Sequence, residues 1–305
     1  MSLALVLPGR GGEGLAKRLK ALDEQLDIQL WPDCPAPQTV AFAVTWQPPA
    51  GALAQFPNLK VVQSLGAGVD GLAAELPSGV TLCRTISPNL KTDMRDYVLL
   101  AILAEQRQWQ ATANDQTNQH WQQRHYRRGG CVGVMGLGEL GGYVAGQLAG
   151  LGFSVKGWSR SPRQLPGIDC FSGEAALGEF LAGLDYLVCL LPLTPQTQGL
   201  MNSAFFARLN SAPYLIHVGR GAQLDEQALL AALDGGQLRG ACLDVFIQEP
   251  LPRQHPFWRH PTITVTPHNA SITSGNDLAR VVYQNYLAMR QGTALNHVVN
   301  STLGY

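Results

Sequence analysis

Residues 131–162 constrain the fold more than any other part of the chain. A short apolar run at 131–135 is typical of a buried strand. Gly136, Gly138 and Gly141 follow with the spacing G-x-G-x-x-G, and apolar side chains then recur at helical intervals. A second predicted strand at 153–158 completes the unit. This order predicts a βαβ unit with a glycine turn at the start of its helix.

The three glycines have separate physical tasks in such a unit. Gly136 permits the tight turn, Gly138 lets the backbone approach a pyrophosphate, and Gly141 lets the helix pack close to its strand. The first amides of the helix then point at the anion. Because 33 glycines among 305 residues produce some such spacings by chance, the flanking strands and helix are what favours a dinucleotide site over a structural turn.

The end of the second strand of this unit bears on which dinucleotide binds. An NAD site usually has Asp or Glu there for the ribose 2′-hydroxyl, whereas an arginine accommodates the 2′-phosphate of NADP. This chain has Ser159, Arg160 and Arg163, and its next carboxylate is Asp169. Since arginine binds a phosphate bidentately, we predict that NADP(H) is preferred and that NAD(H) is possible. The alternative is two solvated surface arginines beside a promiscuous pocket.

Composition bounds the class of protein. The length of 305 residues suits two domains of about 150 residues. With 22 basic and 22 acidic residues, the chain shows no basic patch, so neither nucleic acid nor a membrane is expected as a partner. The N-terminus lacks the features of a signal peptide, and a cytoplasmic location is predicted. The six cysteines and seven histidines show no metal-ligand spacing, so no metal site is predicted.

Apolar runs alternate with helical or turn-rich pieces on both sides of the glycine motif, which indicates an α/β fold with parallel sheets. The other predicted strands are residues 4–7, 40–45, 59–65, 80–83, 185–191, 214–218, 240–245 and 263–266. Helical patterns cover 93–111, 226–234 and 274–290. We predict two doubly wound parallel-sheet domains with a cleft between them. A Rossmann-type cofactor domain at 96–274 is inserted into a discontinuous, flavodoxin-like substrate domain at 1–95 and 275–305.

The Gln-rich segment 106–130 stands apart because it has Trp109, Trp121 and Tyr126 in polar surroundings. Isolated aromatic residues of this kind often pack locally, but such an arm is also suited to embrace a second subunit. We predict a homodimer with 106–130 as its dimerisation arm.

Three charged or titratable residues follow predicted strands of the second half. Arg220 follows 214–218, Glu249 follows 240–245, and His268 follows 263–266. Ligands of open α/β sheets bind at the carboxyl ends of the strands, where the glycine turn also lies. Each residue alone has a structural alternative: a capping or surface-paired arginine, a solvated loop acid and a buried structural histidine.

Together, a cation, a carboxylate and a histidine are what the reduction of a 2-keto acid requires. An arginine binds the substrate carboxylate and polarises the carbonyl, and an imidazolium gives a proton to the developing alkoxide as hydride arrives. A neighbouring glutamate favours the protonated imidazole. The glycine turn at 66–70 follows a strand of the first half and exposes N–H groups suited to a carboxylate, although an ordinary strand-to-helix turn is the alternative.

The chain resembles the D-isomer-specific 2-hydroxyacid dehydrogenases and, within them, the glyoxylate/hydroxypyruvate reductase branch. The motifs that carry the resemblance span most of the chain: SLGAGVD at 64–70, VGVMGLGELGG at 132–142, GWSRSP at 157–162, LPLTPQTQGL at 191–200, HVGRGAQLDEQALLAALDGGQLRGACLDVFIQEPLP at 217–252 and TPHNA at 266–270. The resemblance implies that Arg220 anchors the substrate, that His268 is the acid/base and that Glu249 is its partner.

The resemblance also implies contacts with substrate and cofactor. Substrate contacts are implied for Trp46, Ala67 and Gly68, and a contact with the nicotinamide carboxamide for Asp244. The remaining cofactor contacts predicted beside the three glycines are Glu139, Leu140, Ser159, Arg160, Arg163, Leu191, Pro192, Val218 and Gly219.

The chain departs from the pattern of the family at two positions. Gly219 stands where many relatives have alanine, which is expected to loosen the turn before Arg220. Ser159 stands where NAD-using members have an acid, which supports NADPH.

We therefore predict an NADPH-preferring reductase of a small 2-keto acid, glyoxylate or hydroxypyruvate. Hydride comes from C4 of the nicotinamide and the proton from His268. Two alternatives stay open. One is an NAD-dependent dehydrogenase of a bulkier D-2-hydroxy acid, and the other is a weakly catalytic dinucleotide-sensing binding protein.

Overall fold

The structure, a computed structural model, describes residues 1–9 and 11–300. The chain divides into two compact units, Met1–Leu90 with Thr273–Tyr305 and Lys91–Ile272. Within the described ranges no helix is both long and apolar enough to span a bilayer. In those same ranges no three Cys, His, Asp or Glu residues are grouped as metal ligands would be.

The first unit contains a parallel five-stranded sheet in the order β2-β1-β3-β4-β5. Its strands are β1 (Ser2–Val6), β2 (Ile28–Leu30), β3 (Val40–Thr45), β4 (Val61–Ser64) and β5 (Thr81–Cys83). This is the flavodoxin-like order, as predicted. Helix α1 (Glu13–Leu22) packs against α8 (Gly275–Gln291), and both bury apolar side chains such as Leu19 and Val282 in a core shared with the sheet.

The second unit contains a seven-stranded parallel sheet in the order β12-β11-β10-β9-β6-β7-β8. Its strands are β6 (Cys131–Met135), β7 (Ser154–Ser159), β8 (Asp169–Ser172), β9 (Tyr186–Cys189), β10 (Tyr214–His217), β11 (Gly240–Leu243) and β12 (Ile263–Val265). This is the Rossmann order extended by one strand, so the predicted fold class is confirmed.

The helices of the second unit are α2 (Pro88–Gln106), which begins at the end of the first unit, α3 (Trp109–Thr117), α4 (Glu139–Gly150), α5 (Leu177–Leu181), α6 (Ser203–Phe206) and α7 (Glu226–Asp234). Two apolar clusters contain residues of this sheet together with residues of α5 and α7 in one and of α2 and α4 in the other. Strands that are buried on both faces of a parallel sheet have continuous apolar sequences, which is why most strands of this chain were predictable.

The predicted single helix at 93–111 is wrong. Helix α2 ends at Gln106, and α3 begins at Trp109. Between them Gln108 adopts the left-handed conformation with φ 51°, and its side-chain amide donates to the His125 carbonyl at 2.6 Å. The interruption between α2 and α3 therefore coincides with a contact between Gln108 and the later part of the segment 106–130. Strands β2 and β8 were not predicted, because they are short edge strands in which polar residues interrupt the apolar pattern.

Candidate active site

The predicted site residues of the second unit follow the carboxyl ends of its strands. Because all seven strands are parallel, these ends lie along one edge of the sheet. Gly136 directly follows β6, Arg220 follows β10 by three residues, and His268 follows β12 by three residues. The structure therefore brings the glycine turn, the arginine and the histidine to the same edge.

The glycine turn has a backbone geometry that requires glycine at positions 136 and 141. Gly136 has φ 101°, and a Cβ on Gly141 would lie 1.8 Å from the Gly136 carbonyl oxygen, so α4 packs directly on the turn. In contrast, a Cβ on Gly138 would meet no atom within 4 Å among the residues that the structure describes. The N-terminus of α4 is thus open to an anion. Beside it, Lys91 Nζ lies 3.2 Å from Glu139 Oε2, which offsets the acidic charge there.

The loop after β7 contains the residues predicted to select the cofactor. Ser159 is the half-buried last residue of β7, and its hydroxyl donates to the Ser161 carbonyl at 2.7 Å. Arg160 and Arg163 are exposed on the loop that follows. Two guanidinium groups therefore stand in the segment that follows the second strand of the βαβ unit.

His268 and Glu249 form a direct pair. His268 Nδ1 lies 2.7 Å from Glu249 Oε2, and the other oxygen, Glu249 Oε1, accepts from the Phe246 N–H at 3.0 Å. Since a carboxylate only accepts, Nδ1 carries a proton, and Nε2 is the ring nitrogen left to exchange a proton with another group. Nearly half of the His268 side chain is exposed.

The loop that carries His268 is held by a carboxylate for which the sequence indicated only a cofactor contact. Asp244 is 1% exposed, and its oxygens accept from the Thr266 hydroxyl at 2.6 Å and from the N–H groups of Asn269 and Ala270 at 2.9 Å each. These donors flank His268, whose φ of 51° is uncommon for a residue with a side chain. Asp244 thereby holds the Thr266 side chain before the histidine and the backbone of Asn269 and Ala270 after it, while its contact with nicotinamide stays a prediction.

Tyr97 on α2 extends this network, although it was not identified from the sequence. Its hydroxyl lies 2.6 Å from Thr266 Oγ1, and because Thr266 donates to Asp244, Tyr97 donates to Thr266. Burial, followed by the neighbouring Cys242, raises the pKa of Tyr97 well above its usual value, so the phenol keeps the proton that it donates.

The turn that carries Arg220 is held by two buried side chains. The Arg220 N–H donates to Gln223 Oε1 at 2.9 Å, and the Arg220 carbonyl accepts from His217 Nε2 at 3.0 Å. Arg220 Nη1 donates to the Gly219 carbonyl at 2.8 Å. The expectation that Gly219 loosens this turn is wrong. A Cβ on Gly219 would lie only 2.3 Å from Gln223 Oε1, so the Gln223 amide packs against the glycine.

Neither Gln223 nor His217 was identified from the sequence. Gln223 is the third residue after Arg220 in a capping box, but the sequence signature of that motif has Ser, Thr, Asp or Asn where this chain has Arg220. His217 is the last residue of an apolar strand, where its type alone indicates no contact.

His217 is fully buried, which lowers its pKa to about 4 even though the Arg220 carbonyl favours the protonated ring. In the part of the chain that the structure describes, nothing lies within hydrogen-bonding distance of His217 Nδ1. The ring is therefore neutral at neutral pH, with its one proton on Nε2, where it donates to Arg220.

Stability is expected to fall in mild acid because of this histidine. In the unfolded chain His217 takes up a proton near pH 6.5, but in the folded chain only near pH 4. Between these values the unfolded state binds more protons than the folded state. The free energy of unfolding therefore decreases as the pH is lowered. His217→Gln keeps an N–H donor without titrating, and its free energy of unfolding should drop about 2 kcal/mol less than wild type between pH 7 and pH 5. Urea unfolding at both pH values measures this, and parallel losses in the two proteins would contradict it.

The predicted substrate contacts of the first unit lie at the end of β4. The Ser64 hydroxyl accepts from the Gly66 N–H and donates to the Gly68 carbonyl, both at 3.3 Å. A Cβ on Gly66 would lie 2.6 Å from Trp46 Cζ3, so the indole ring packs on this turn. The structure brings Trp46 to the turn that contains Ala67 and Gly68, and their contacts with substrate stay predictions.

Residues 99–270 match the family model described as D-isomer specific 2-hydroxyacid dehydrogenase, NAD binding domain. The chain is 40% identical over 304 residues to a glyoxylate/hydroxypyruvate reductase A from Serratia proteamaculans, covering 96% of this chain and 95% of that protein.

Two solved structures have the same fold over their whole lengths. One is a D-isomer specific 2-hydroxyacid dehydrogenase from Xanthobacter autotrophicus in complex with NADPH and MES, with 39% identity, a TM-score of 0.92 and coverage of 100% of this chain and 99% of that one. The other is an NADPH-dependent glyoxylate/hydroxypyruvate reductase from Sinorhizobium meliloti in complex with NADP and sulfate, with 35% identity, a TM-score of 0.91 and complete coverage of both chains.

Proposed function

The chain belongs to the D-isomer-specific 2-hydroxyacid dehydrogenase family and is an NAD(P)-dependent oxidoreductase, and from this we propose that it reduces small 2-keto acids, glyoxylate or hydroxypyruvate, with a preference for NADPH. The observation that carries the proposal is the His268–Glu249 pair beside the carboxyl edge of the NAD-binding unit. The relatives named for this activity, from S. proteamaculans and S. meliloti, support the substrate class.

His268 is the proposed proton donor. Glu249 accepts from Nδ1, which orients the ring, so Nε2 is the atom that gives a proton to the alkoxide. NADPH, when bound, supplies the hydride. Asp244 contributes by holding the amides of Asn269 and Ala270, so that the histidine keeps one position during the transfer.

Arg220 is the proposed anchor of the substrate carboxylate. Its guanidinium is half-buried, always charged and able to bind a carboxylate through two parallel N–H donors. Gln223 and His217 hold the backbone N–H and carbonyl of Arg220, so the position of its Cα is fixed. A developing negative charge on the substrate is stabilised most by such a preorganised cation.

The preference for NADPH is proposed to come from the loop after β7. Arg160 and Arg163 supply positive charge, and no carboxylate stands at Ser159 to repel a 2′-phosphate. Arg160→Ala is expected to lower the ratio of kcat/KM with NADPH to kcat/KM with NADH by about 10-fold or more, since it removes a charge-assisted hydrogen bond. Arg208→Ala, which removes an exposed arginine paired with Glu174, is the control. An unchanged ratio in Arg160→Ala would remove this residue from cofactor selection.

A single set of assays tests the whole proposal. Purified protein is assayed with glyoxylate, hydroxypyruvate and larger 2-keto acids, each with NADPH and with NADH. The proposal expects the highest kcat/KM for one of the two small acids with NADPH. A higher value for a bulkier acid with NADH would support the NAD-dependent alternative, and NADPH binding without reduction would support a sensor.

We also propose that the chain forms a homodimer through residues 106–130, and that it is cytoplasmic, as its sequence predicts. Trp121 is 94% exposed and Trp109 67% exposed, whereas tryptophan is highly buried on average. Tyr126, in contrast, packs locally between Arg107 and Arg128. Light scattering at the assay concentration should give twice the mass of one chain, and a monomer would contradict the proposal.

A further inference from the structure

We propose that Gln223 is a positioning residue for the reaction, because its side-chain amide connects the turn that carries Arg220 to the loop that begins with Leu191 and Pro192. This inference rests on the proposed function, in which Arg220 binds the substrate, and on the cofactor contacts predicted for Leu191 and Pro192 in the loop after β9. Gln223 itself is not predicted to contact substrate or cofactor.

The side-chain amide of Gln223 uses both of its ends. Its oxygen accepts from the Arg220 N–H at 2.9 Å, and its nitrogen donates to the carbonyls of Leu191 at 3.0 Å and Pro192 at 2.9 Å. The Cys189 thiol, at the end of β9, lies 3.7 Å from the same oxygen. One side chain thus links the segments that follow two adjacent strands of the sheet, β9 and β10.

The backbone of Gln223 reinforces this link. Its N–H donates to the Arg220 carbonyl at 3.0 Å, and its carbonyl accepts from the Met201 N–H at 2.9 Å. The residue is fully buried, so water cannot replace an amide contact that is lost. Because a buried polar group without a partner is costly, the arrangement strongly favours the one geometry in which all these contacts are made.

Gly219 makes room for this amide. A Cβ at position 219 would lie 2.3 Å from Gln223 Oε1 and 3.1 Å from the Leu191 carbonyl oxygen. The backbone carbonyl offers little freedom to move, and the amide oxygen is held by the Arg220 N–H. Gly219 and Gln223 therefore act together. Because Gly219 has no side chain, there is space for the Gln223 amide to connect the two segments.

The consequence for the reaction is geometric. Hydride transfer requires the carbonyl carbon within a few ångströms of the nicotinamide, and an error of about 1 Å can cost about 100-fold in rate. In the proposed function Arg220 binds the substrate, and the loop after β9 contains Leu191 and Pro192, for which cofactor contacts are predicted. Gln223 sets the relative position of these two segments.

The test compares Gln223→Met with wild type and with Gln29→Met. Methionine keeps the length of the side chain and removes every amide contact. Gln29 is a matched control, because it is also buried and joins a loop through the Ala36 N–H and carbonyl, at 3.1 and 3.0 Å, in the other unit. Thermal unfolding, the affinity for NADPH and the values of kcat and KM for the keto acid are measured for all three proteins.

Gln223→Met is expected to lower kcat/KM for the keto acid by about 10- to 100-fold, with a rise in KM and a fall in kcat, while Gln29→Met loses thermal stability but stays near wild type in both constants. Equal kinetics in Gln223→Met and wild type would overturn the inference, and so would equal kinetic losses in the two variants. A wild type that reduces no 2-keto acid would instead overturn the proposed function.

A second comparison addresses the coupling and does not depend on the methionine variant alone. Gly219→Ala should displace the Gln223 amide and lower kcat/KM by a similar factor. Because both changes break the same connection, the double variant Gly219→Ala/Gln223→Met should lose little beyond the larger single loss. Losses that multiply would show that the two residues act independently and would contradict the proposed coupling.

Discussion

Replacing His268 with glutamine is expected to lower the turnover of the keto acid with NADPH by about 100-fold or more, with little loss of NADPH affinity. The reason is that glutamine keeps a hydrogen-bonding group in the loop but cannot give up a proton at neutral pH. Stopped-flow or steady-state assays under saturating NADPH measure the turnover, and fluorescence titration measures the affinity.

The chain contains a matched control for this change. His255 also faces a glutamate, with its Nε2 3.2 Å from Glu226 Oε2, and it caps a short 3-10 turn through Nδ1. His255→Gln therefore removes a histidine–glutamate pair with no proposed part in the chemistry, and its turnover should stay close to wild type. If His268→Gln turned over as fast as His255→Gln, the proton donor would have to be another group.

Arg220→Ala is expected to lower kcat/KM for the keto acid by about 100- to 1,000-fold, because it removes a preorganised cation from both the carboxylate and the developing alkoxide. Both KM and kcat should change, since the interaction exists in the bound substrate and strengthens in the transition state. NADPH affinity should change far less, and its titration in the same variant separates the two effects.

Arg220→Lys gives the intermediate case. Lysine keeps the positive charge but not the planar pair of donors, so its kcat/KM should lie between those of wild type and Arg220→Ala. The order expected is wild type, lysine, alanine. If alanine and wild type were equal, Arg220 would be a structural residue whose Nη1 only caps its own turn through the Gly219 carbonyl.

The two carboxylates near the histidine have separate tasks. Glu249 contacts the ring of His268, whereas Asp244 contacts the backbone that follows it. Asp244 is buried, and its two oxygens accept from three donors, which compensate for the loss of water. A buried acid thus shapes the loop, and a more exposed acid orients the imidazole.

Much of the architecture was determined by the sequence alone. Continuous apolar runs such as 131–135, with Gly136 and Gly141 at a fixed spacing, predict a parallel sheet and a nucleotide turn because these features depend on neighbours in the chain. Arg220, Glu249 and His268 could be proposed as a set for the same reason, since each follows a recognisable strand. Short elements with mixed patterns, such as β8, and the break at Gln108 did not follow from any local pattern.

Only the tertiary structure decided which buried side chains hold the loops that carry the predicted site residues. Gln223 and Tyr97 contact residues that are far away in the sequence, Leu191 and Thr266. His217 is fully buried at a position where the neighbouring sequence does not explain a polar side chain. The space that Gly219 leaves is filled from four residues away, so a sequence argument predicted a loosened turn where the structure has a connected one. The physical reason is that hydrogen-bond partners in a folded core are chosen by distance in space, and distance in space follows from packing as a whole.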